Sequence, residues 1–373
     1  MNTVPYRIER SSPAAHAGFA VMFVAVAGLI SVPAWAGRAD MRLLIEVSYY
    51  LALAQAWNLL AGFAGLVSVG QQAFVGLGCY AFITATAFLG IPPLVALPLT
   101  AFVVALMAIP AAFLAFRLRG AHFAIGTWVL AEVLRLAFTL IKPFGAGTGM
   151  SLPISVVRDI AENRTIRELI LYYVSISVGV GTVLLVFLWL RSRQGLALTA
   201  IRDSEGAAGS IGINQQRTKL AVYLIAALIA GLVGPLVVLE KLRITPAAAF
   251  SVTDWSADVI FIVIIGGIGS VEGPIVGTVV FFALRFFLAD YGAWYLITLG
   301  IIAIIVMLKA PRGLWGLVAD AFNIHLFPVQ RRVRLGSSDD SGVHMTPGNP
   351  MALRESERRP QAAAGKHDDT LHI

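Results

Sequence analysis

An all-α, polytopic transmembrane helical bundle of about ten spans is the fold this chain predicts, and three observations carry the prediction. The 373 residues are 58% hydrophobic and only 13% charged, with a mean hydropathy of +0.81, against roughly 25% charged residues in an ordinary soluble domain. The apolar residues are gathered in runs of about 20, the length that crosses a bilayer core. Between two such runs lies a charged island, RSRQGLALTAIRDSEGAAGSIGINQQRTK from Arg191 to Lys219, which must sit in water.

In chain order the spans fall near 18–36, 43–67, 71–89, 92–116, 121–141, 168–190, 218–239, 256–269, 273–289 and 293–309,. The first has a second reading. Arg7 and Arg10 precede an apolar core, and Ala34-Trp35-Ala36 fits an A-x-A cleavage site, so removal as a secretory signal would leave nine spans,. Its near-spanning length favours retention as an anchor. The island carries Arg191, Arg193, Arg202, Arg217 and Lys219, and the positive-inside rule places it in the cytoplasm,. Counting outward puts the Arg117–Arg119 turn and both chain ends on the same side. Residues 1–17 are then a cytoplasmic segment, 18–317 the membrane domain with its cytoplasmic loop at 191–217, and 318–373 a cytoplasmic tail. The tail, rich in Arg, Ser, Pro, Gly and Asp, is expected to be disordered,. The loop at 142–167 lies outside despite Lys142, Arg158, Arg164 and Arg167; it is long and is also accompanied by Asp159, Glu162 and Glu168, and the charge rule is weakest there,.

Several function classes are disfavoured. The net charge of +7 is spread over loops and ends instead of one soluble surface, which argues against nucleic acid as a partner,. A single cysteine, Cys79, excludes an intrachain disulfide, and the six histidines show no paired ligand spacing, so no metal site is expected,. No nucleophile, base and oxyanion set is visible, so the chain does not read as an enzyme. It also lacks a phosphate-binding GxxxxGK[ST]; the pair Gly365-Lys366 is followed by His367,. The chain therefore binds no cofactor of its own, and any ATP-driven transport needs another subunit to bind the nucleotide.

Two apolar regions are interrupted by glycine: GFAGLVSVGQQAFVGLGCY from Gly62 and IIGGIGSVEGPIVGTVV from Ile264. Irregular backbone at membrane depth is tolerated only where protein covers it or it lines a wet cavity. A pair of broken helices points to a permeation path, and tight helix packing is the competing reading. Ser68-Val69-Gly70 and Ser270-Val271-Glu272-Gly273 are a weak hint of an internal repeat. The candidate path residues are Ser68, Gly70, Gln71, Gln72, Thr127, Trp128, Glu132, Gly267 and Gly269. The two glutamines fit packing amides equally well. Ionisable residues within spans are few: Glu46, Glu132, Arg135, Asp258, Arg285 and Asp290. Glu132 and Arg135 share a helix face at i, i+3 and are read either as a structural ion pair or as part of the path. In the island, Leu198, Ile201, Glu205 and Ala208 fall near one helical stripe with Arg202 and Asp203 beside it, a form that fits a groove on a soluble partner or an ordinary solvated helix.

The island also resembles a known family. QGLALTAIRDSEGAAGSIGIN, from Gln194 to Asn214, is similar to the coupling loop of branched-chain amino-acid ABC transporter permeases, G-R-A-L-x-A-I-R-x-x-E-x-A-A-x-x-x-G-I-N. Further segments resemble the family in the same order. Ser68-Val69-Gly70 through Tyr80 is similar to L-S-x-G-H-A-A-F-F-G-I-G-A-Y, and Leu118-Arg119-Gly120 through Arg135 to L-R-G-x-Y-F-A-I-x-T-L-x-x-A-E-x-x-R. Gly147-Thr148-Gly149 ahead of Pro153, Gly266-Gly267-Ile268-Gly269 with Gly273-Pro274, and Ala310 to Gly316 complete the set, the last like A-P-x-G-L-x-G. The L-R-G and A-P-x-G-L-x-G segments favour the LivM type over its LivH-type companion. Gln71 and Gln72 stand where the family has histidine and alanine, Cys79 where it has alanine, and Ala121-His122 where it has an aspartate-tyrosine pair.

The resemblance implies a permease subunit of an ABC importer in the bacterial inner membrane. It implies a LivH-type second permease, two ATPase subunits that hold ATP and magnesium, and an extracytoplasmic solute-binding protein. Arg202, Asp203, Glu205, Ala207, Ala208 and Gly212 match the coupling motif or lie within it. The cargo it implies is a branched-chain amino acid, with urea, an amide or another amino acid as the alternative. A proton-coupled carrier using Glu132 or Asp258 is the competing function class.

Overall fold

The computed structural model describes residues 6–9, 13–288, 293–310, 312–322 and 332–335. Apolar runs without a break become single helices, and glycine-rich stretches become the joints between them. The chain forms α1 (Pro13–Ser31), α2 (Arg38–Asn58), α3 (Gln71–Ile83), α4 (Pro93–Ala115), α5 (Ala121–Leu140), α6 (Ile154–Ile160) and α7 (Arg164–Arg191). The island folds as α8 (Arg193–Asp203) and α9 (Glu205–Ser210). Then follow α10 (Gln215–Lys241), α11 (Pro246–Ala249), α12 (Asp258–Gly266), α13 (Glu272–Leu288), α14 (Ala293–Lys309) and α15 (Gly313–Phe322). Wide five-residue π-helical segments extend α2 to Phe63 and α3 to Phe88, and another, Thr253–Ala257, leads into α12. The molecule is an all-α polytopic bundle; among the described residues, seven helical segments are long and apolar enough to cross a membrane. The other three expected spans are helical over nearly the expected residues, α1 at Pro13–Ser31, α3 with its π segment at Gln71–Phe88 and α13 at Glu272–Leu288, but are not among those seven.

The spans that contain α2 and α10 are the inner helices, each 72% buried, whereas those of α4 and α5 are 33% and 17% buried. The packing follows from small residues, since lipid supplies no hydrophobic force to drive apolar helices together. At the crossing of α3 and α10, a Cβ on Gly234 would lie 2.6 Å from the Gly78 carbonyl carbon, and the Cys79 thiol donates to the Gly234 carbonyl at 3.4 Å. α4 turns a wholly apolar face outward, with Phe102 and Phe113 more than 60% exposed, as a lipid-facing helix should.

Contacts define two ends of the bundle. At one, Arg38 at the start of α2 meets Glu168 in the first turns of α7, and Met150–Ser151 pairs antiparallel with Arg243–Ile244 just beyond α10. At the other, the end of α2, the Gly267–Val271 segment, α8 and Gly313 come together. A separate short ladder pairs Tyr6–Glu9 with Arg332–Leu335, antiparallel, Tyr6 opposite Leu335. α15 runs to Phe322, past the expected start of the tail. Apart from Arg332–Leu335, the rest of that tail, together with Asp290 and Pro311, lies outside the described residues.

Candidate functional site

The last turns of α2 carry two fully buried carboxamides, Gln55 and Asn58, spaced i, i+3 so that they share one face,. Gln55 Nε2 donates to the Val271 carbonyl at 2.7 Å. Asn58 Nδ2 donates to the Ser270 carbonyl at 2.7 Å, while its Oδ1 accepts from the Gly269 amide at 2.8 Å. These side chains supply what a helix would have supplied to that stretch of backbone. The stretch cannot be helical, because Gly267 and Gly269 have φ of +131° and +80°, a region in which a side chain would be strained,. The Ser270 hydroxyl then accepts from the Gly273 amide at 3.0 Å and starts α13,.

The same helix holds the other break. Trp57 Nε1 donates to the Ser68 carbonyl at 2.7 Å, and Gln71 Nε2 donates to the Leu53 carbonyl at 3.1 Å. The Gly70 amide donates to the Ser68 hydroxyl, and the Val69 amide donates to Thr127 Oγ1 on α5, both at 3.2 Å. Ser256 donates to the Gln72 carboxamide oxygen and lies 3.3 Å from the Val69 carbonyl. Ser68, Gly70, Gln71, Gln72 and Thr127 therefore form one buried polar cluster between α2, α3, α5 and the turn before α12. Gln71 Oε1 and Gln72 Nε2 are buried there with no partner among the described residues. Buried amides are ordinarily satisfied, so these two atoms stand out within the cluster.

Gly267 and Gly269 belong to the other cluster, at the α8 end of the bundle. Trp128 and the Glu132–Arg135 pair join neither. Arg135 Nε donates to both Glu132 oxygens at 2.9 Å, and the pair lies half-buried on α5. Trp128 is 46% exposed on the outward face of that helix. Glu46 and Arg285 form an ion pair at 3.1 Å that ties α2 to α13.

The island is a helix-turn-helix held by side-chain caps. Ser192, Ser204 and Asn214 accept the amides of Gln194, Ala207 and Arg217 and so start α8, α9 and α10,. Leu198, Ile201 and Ala208 are buried against the chain's own helices, so most of the stripe offered in the sequence to a partner is already covered. What remains outward is Asp203, Ala207, Gly212 and two large apolar side chains, Leu196 and Ile211, 75% and 73% exposed. Arg202 turns back. Its Nη1 donates to the Gly62 carbonyl at 3.4 Å and lies 3.6 Å from where a Cβ on Gly269 would stand.

Sequence reasoning missed Gln55, Trp57, Asn58 and Ser256. The signal was present: Gln-x-x-Asn in an otherwise apolar run places two amides on one helical face inside the membrane, where each needs a partner. Among the described residues no cluster of His, Cys, Asp and Glu is placed to hold a metal.

Residues 41–310 match the family described as branched-chain amino acid transport system / permease component. The chain belongs to this permease family. The membrane bundle is therefore a permease subunit of a branched-chain amino-acid-type ABC transport system, a multi-pass inner-membrane protein and not an enzyme. Membership implies partner permease and ATPase subunits. The permease is 27% identical over 316 residues to the "High-affinity branched-chain amino acid transport system permease protein LivM" of Escherichia coli (strain K12), covering 78% of this chain and 73% of that one. It is 27% identical over 317 residues to the protein of the same name from Salmonella typhimurium, covering 79% and 73%. No solved structure matches this permease significantly.

Proposed function

We propose that this chain is the LivM-type permease of an importer that moves branched-chain amino acids, or similar small polar solutes, across the inner membrane by ATP-driven alternating access. Arg202 carries the reading. It is the side chain through which the island, expected to be the ATPase-contacting loop, bonds to Gly62 and comes close to Gly269, one glycine from each break. Gly62 closes α2, and α2 holds both breaks through Gln55, Trp57 and Asn58. A push on α8 therefore has a short covalent and hydrogen-bonded route to the two segments where backbone is irregular, the kind of bistable element alternating access needs.

In this reading the outward surface of α8 and α9, with Asp203, Ala207 and the turn at Gly212, meets an ATPase, and Ala208 and Arg202 set its angle; Glu205, whose side chain lies outside the described residues, is assigned to the same contact by the motif. The polar cluster around Gln71 and Gln72 lines the solute path near mid-membrane. The chain crosses ten times: α1, α3 and α13 are counted with the seven longer segments, which puts the island, Arg117 and Arg119 together in the cytoplasm. A LivH-type second permease, two ATPases holding ATP and magnesium, and an extracytoplasmic solute-binding protein complete the assembly.

Reconstitution of this chain alone in liposomes should give no leucine uptake. Uptake should appear with the ATPases, the second permease, the binding protein and ATP, and should survive collapse of the proton gradient. Uptake by the chain alone that vanishes with the gradient would establish a secondary carrier instead. Within the assembled transporter, Arg202→Ala should leave ATP hydrolysis running while uptake falls about tenfold, the order expected for losing one charge-assisted hydrogen bond. Glu205→Lys, and Gly212→Trp at a φ of +83°, should block copurification of the ATPases or uncouple their hydrolysis. Normal association and transport in both would remove the coupling assignment.

A further inference from the structure

At the end of the bundle away from the island, a cavity of about 350 Å³ opens between α2, α6, α7 and α10. Four arginines stand around it: Arg38, Arg42, Arg164 and Arg167. Glu168 faces three of them, with Arg164 at 3.0 Å, Arg38 at 3.3 Å and Arg42 at 3.9 Å. Arg167 has no carboxylate within ion-pair distance among the described residues. The lining also holds Glu240, so four positive charges meet two carboxylates, and a net charge of +2 remains even with both ionised. The side chains of Arg38, Arg42 and Arg164 are 57–61% exposed, available to an incoming group. Beneath them the wall is apolar, formed by Ile45, Leu171 and Leu239 among others.

Arg38 is the first residue of α2, Arg164 the first of α7, and Leu242 follows the last residue of α10. The cavity thus lies where three membrane helices end, at the height of lipid headgroups. Cations above an apolar wall at that level match an amphiphile with its anionic group at the surface and its chain below. We propose that this cavity binds the phosphate of an anionic phospholipid, with an acyl chain against Ile45 and Leu171. A guanidinium fork donates to two phosphate oxygens at once, which a single lysine ammonium does not do. Glu168 is a positioning residue: it gathers the arginines and keeps their repulsion from splaying α2 and α7.

The test is native mass spectrometry of the intact transporter titrated with phosphatidylglycerol, with phosphatidylcholine of the same chain length, and with inorganic phosphate. Phosphatidylglycerol should bind at least about tenfold more tightly than phosphatidylcholine. Arg42→Gln with Arg167→Gln should weaken it about 25-fold, taking about fivefold for each arginine near an anionic headgroup. That pair leaves the Arg38–Glu168–Arg164 bridge in place, so the fold is not the variable. Equal binding of the two lipids, or unchanged phosphatidylglycerol affinity in the double variant, overturns the proposal. Displacement of the lipid by inorganic phosphate at comparable concentration overturns the lipid as the occupant and assigns the arginines to free phosphate. A large aromatic at the wall, Leu171→Trp, should weaken the lipid and leave phosphate binding unchanged; unchanged lipid affinity overturns the acyl-chain placement.

Discussion

Asn58→Leu is expected to reduce uptake by the assembled transporter to background and to lower the melting temperature of the purified subunit by several degrees. The side chain is fully buried, and both of its polar atoms engage backbone, the Ser270 carbonyl and the Gly269 amide. Two magnitudes compete here. Hydrogen bonds between helices in membranes average only about 0.6 kcal/mol, because a loosened helix finds other partners. Here the loss leaves two backbone groups bare, and each uncompensated buried group costs about 1–3 kcal/mol. The second effect decides the outcome, since Gly267 and Gly269 hold a conformation in which a helical partner is out of reach. Ser270→Ala, which spares the backbone bonds to Asn58, should be much milder. Wild-type uptake and melting for Asn58→Leu would show that α2 does not hold the break.

How much of this was legible beforehand depends on the scale of the interaction. Apolar runs and charged turns show where the bundle's helices lie, because both follow from transfer of single residues between water and lipid. The glycine breaks were visible for the same local reason. What a break rests against was not visible, since Gln55 and Val271 are 216 residues apart and Asn58 and Ser270 are 212 apart. Thr127 was a candidate beside Gln71, and the fold brings them together. Its neighbour Trp128 was an equal candidate, yet one residue of helix turns it about 100° to the outside. The island shows the same limit. Its amphipathic stripe was readable, but Leu198 and Ile201 pack on the chain's own helices, and only the fold tells an inward stripe from an outward one. Arg202 matched a motif as part of a surface, whereas its contact with Gly62 gives it a direction.

Gly70→Val should be the most damaging single change at the first break, for a reason that differs from Asn58. Gly70 has φ of −110°, which any residue adopts, so backbone strain is not the obstacle. The obstacle is position: a Cβ there would overlap the Thr127 carbonyl oxygen and lie 2.7 Å from its carbon. A backbone carbonyl within α5 cannot rotate away as a side chain does. The helix must move as a whole, and the bond from the Val69 amide to Thr127 Oγ1 is lost with it. Overpacking costs roughly 1–3 kcal/mol when side chains can yield, and the cost here lies at or above that range. Uptake should fall to background, with Gly70→Ala intermediate. Gly181→Ala on α7, where nothing lies within 4 Å of the new methyl, should be neutral or slightly stabilising, since alanine favours helix over glycine by about 1 kcal/mol. The companion change Thr127→Ala separates the two explanations of the glycine. If the contact is to backbone, removing the Thr127 side chain leaves the carbonyl in place and does not rescue Gly70→Val. Restored uptake in the double variant would mean that the threonine side chain, not the approach of the two helices, sets the requirement for glycine at position 70.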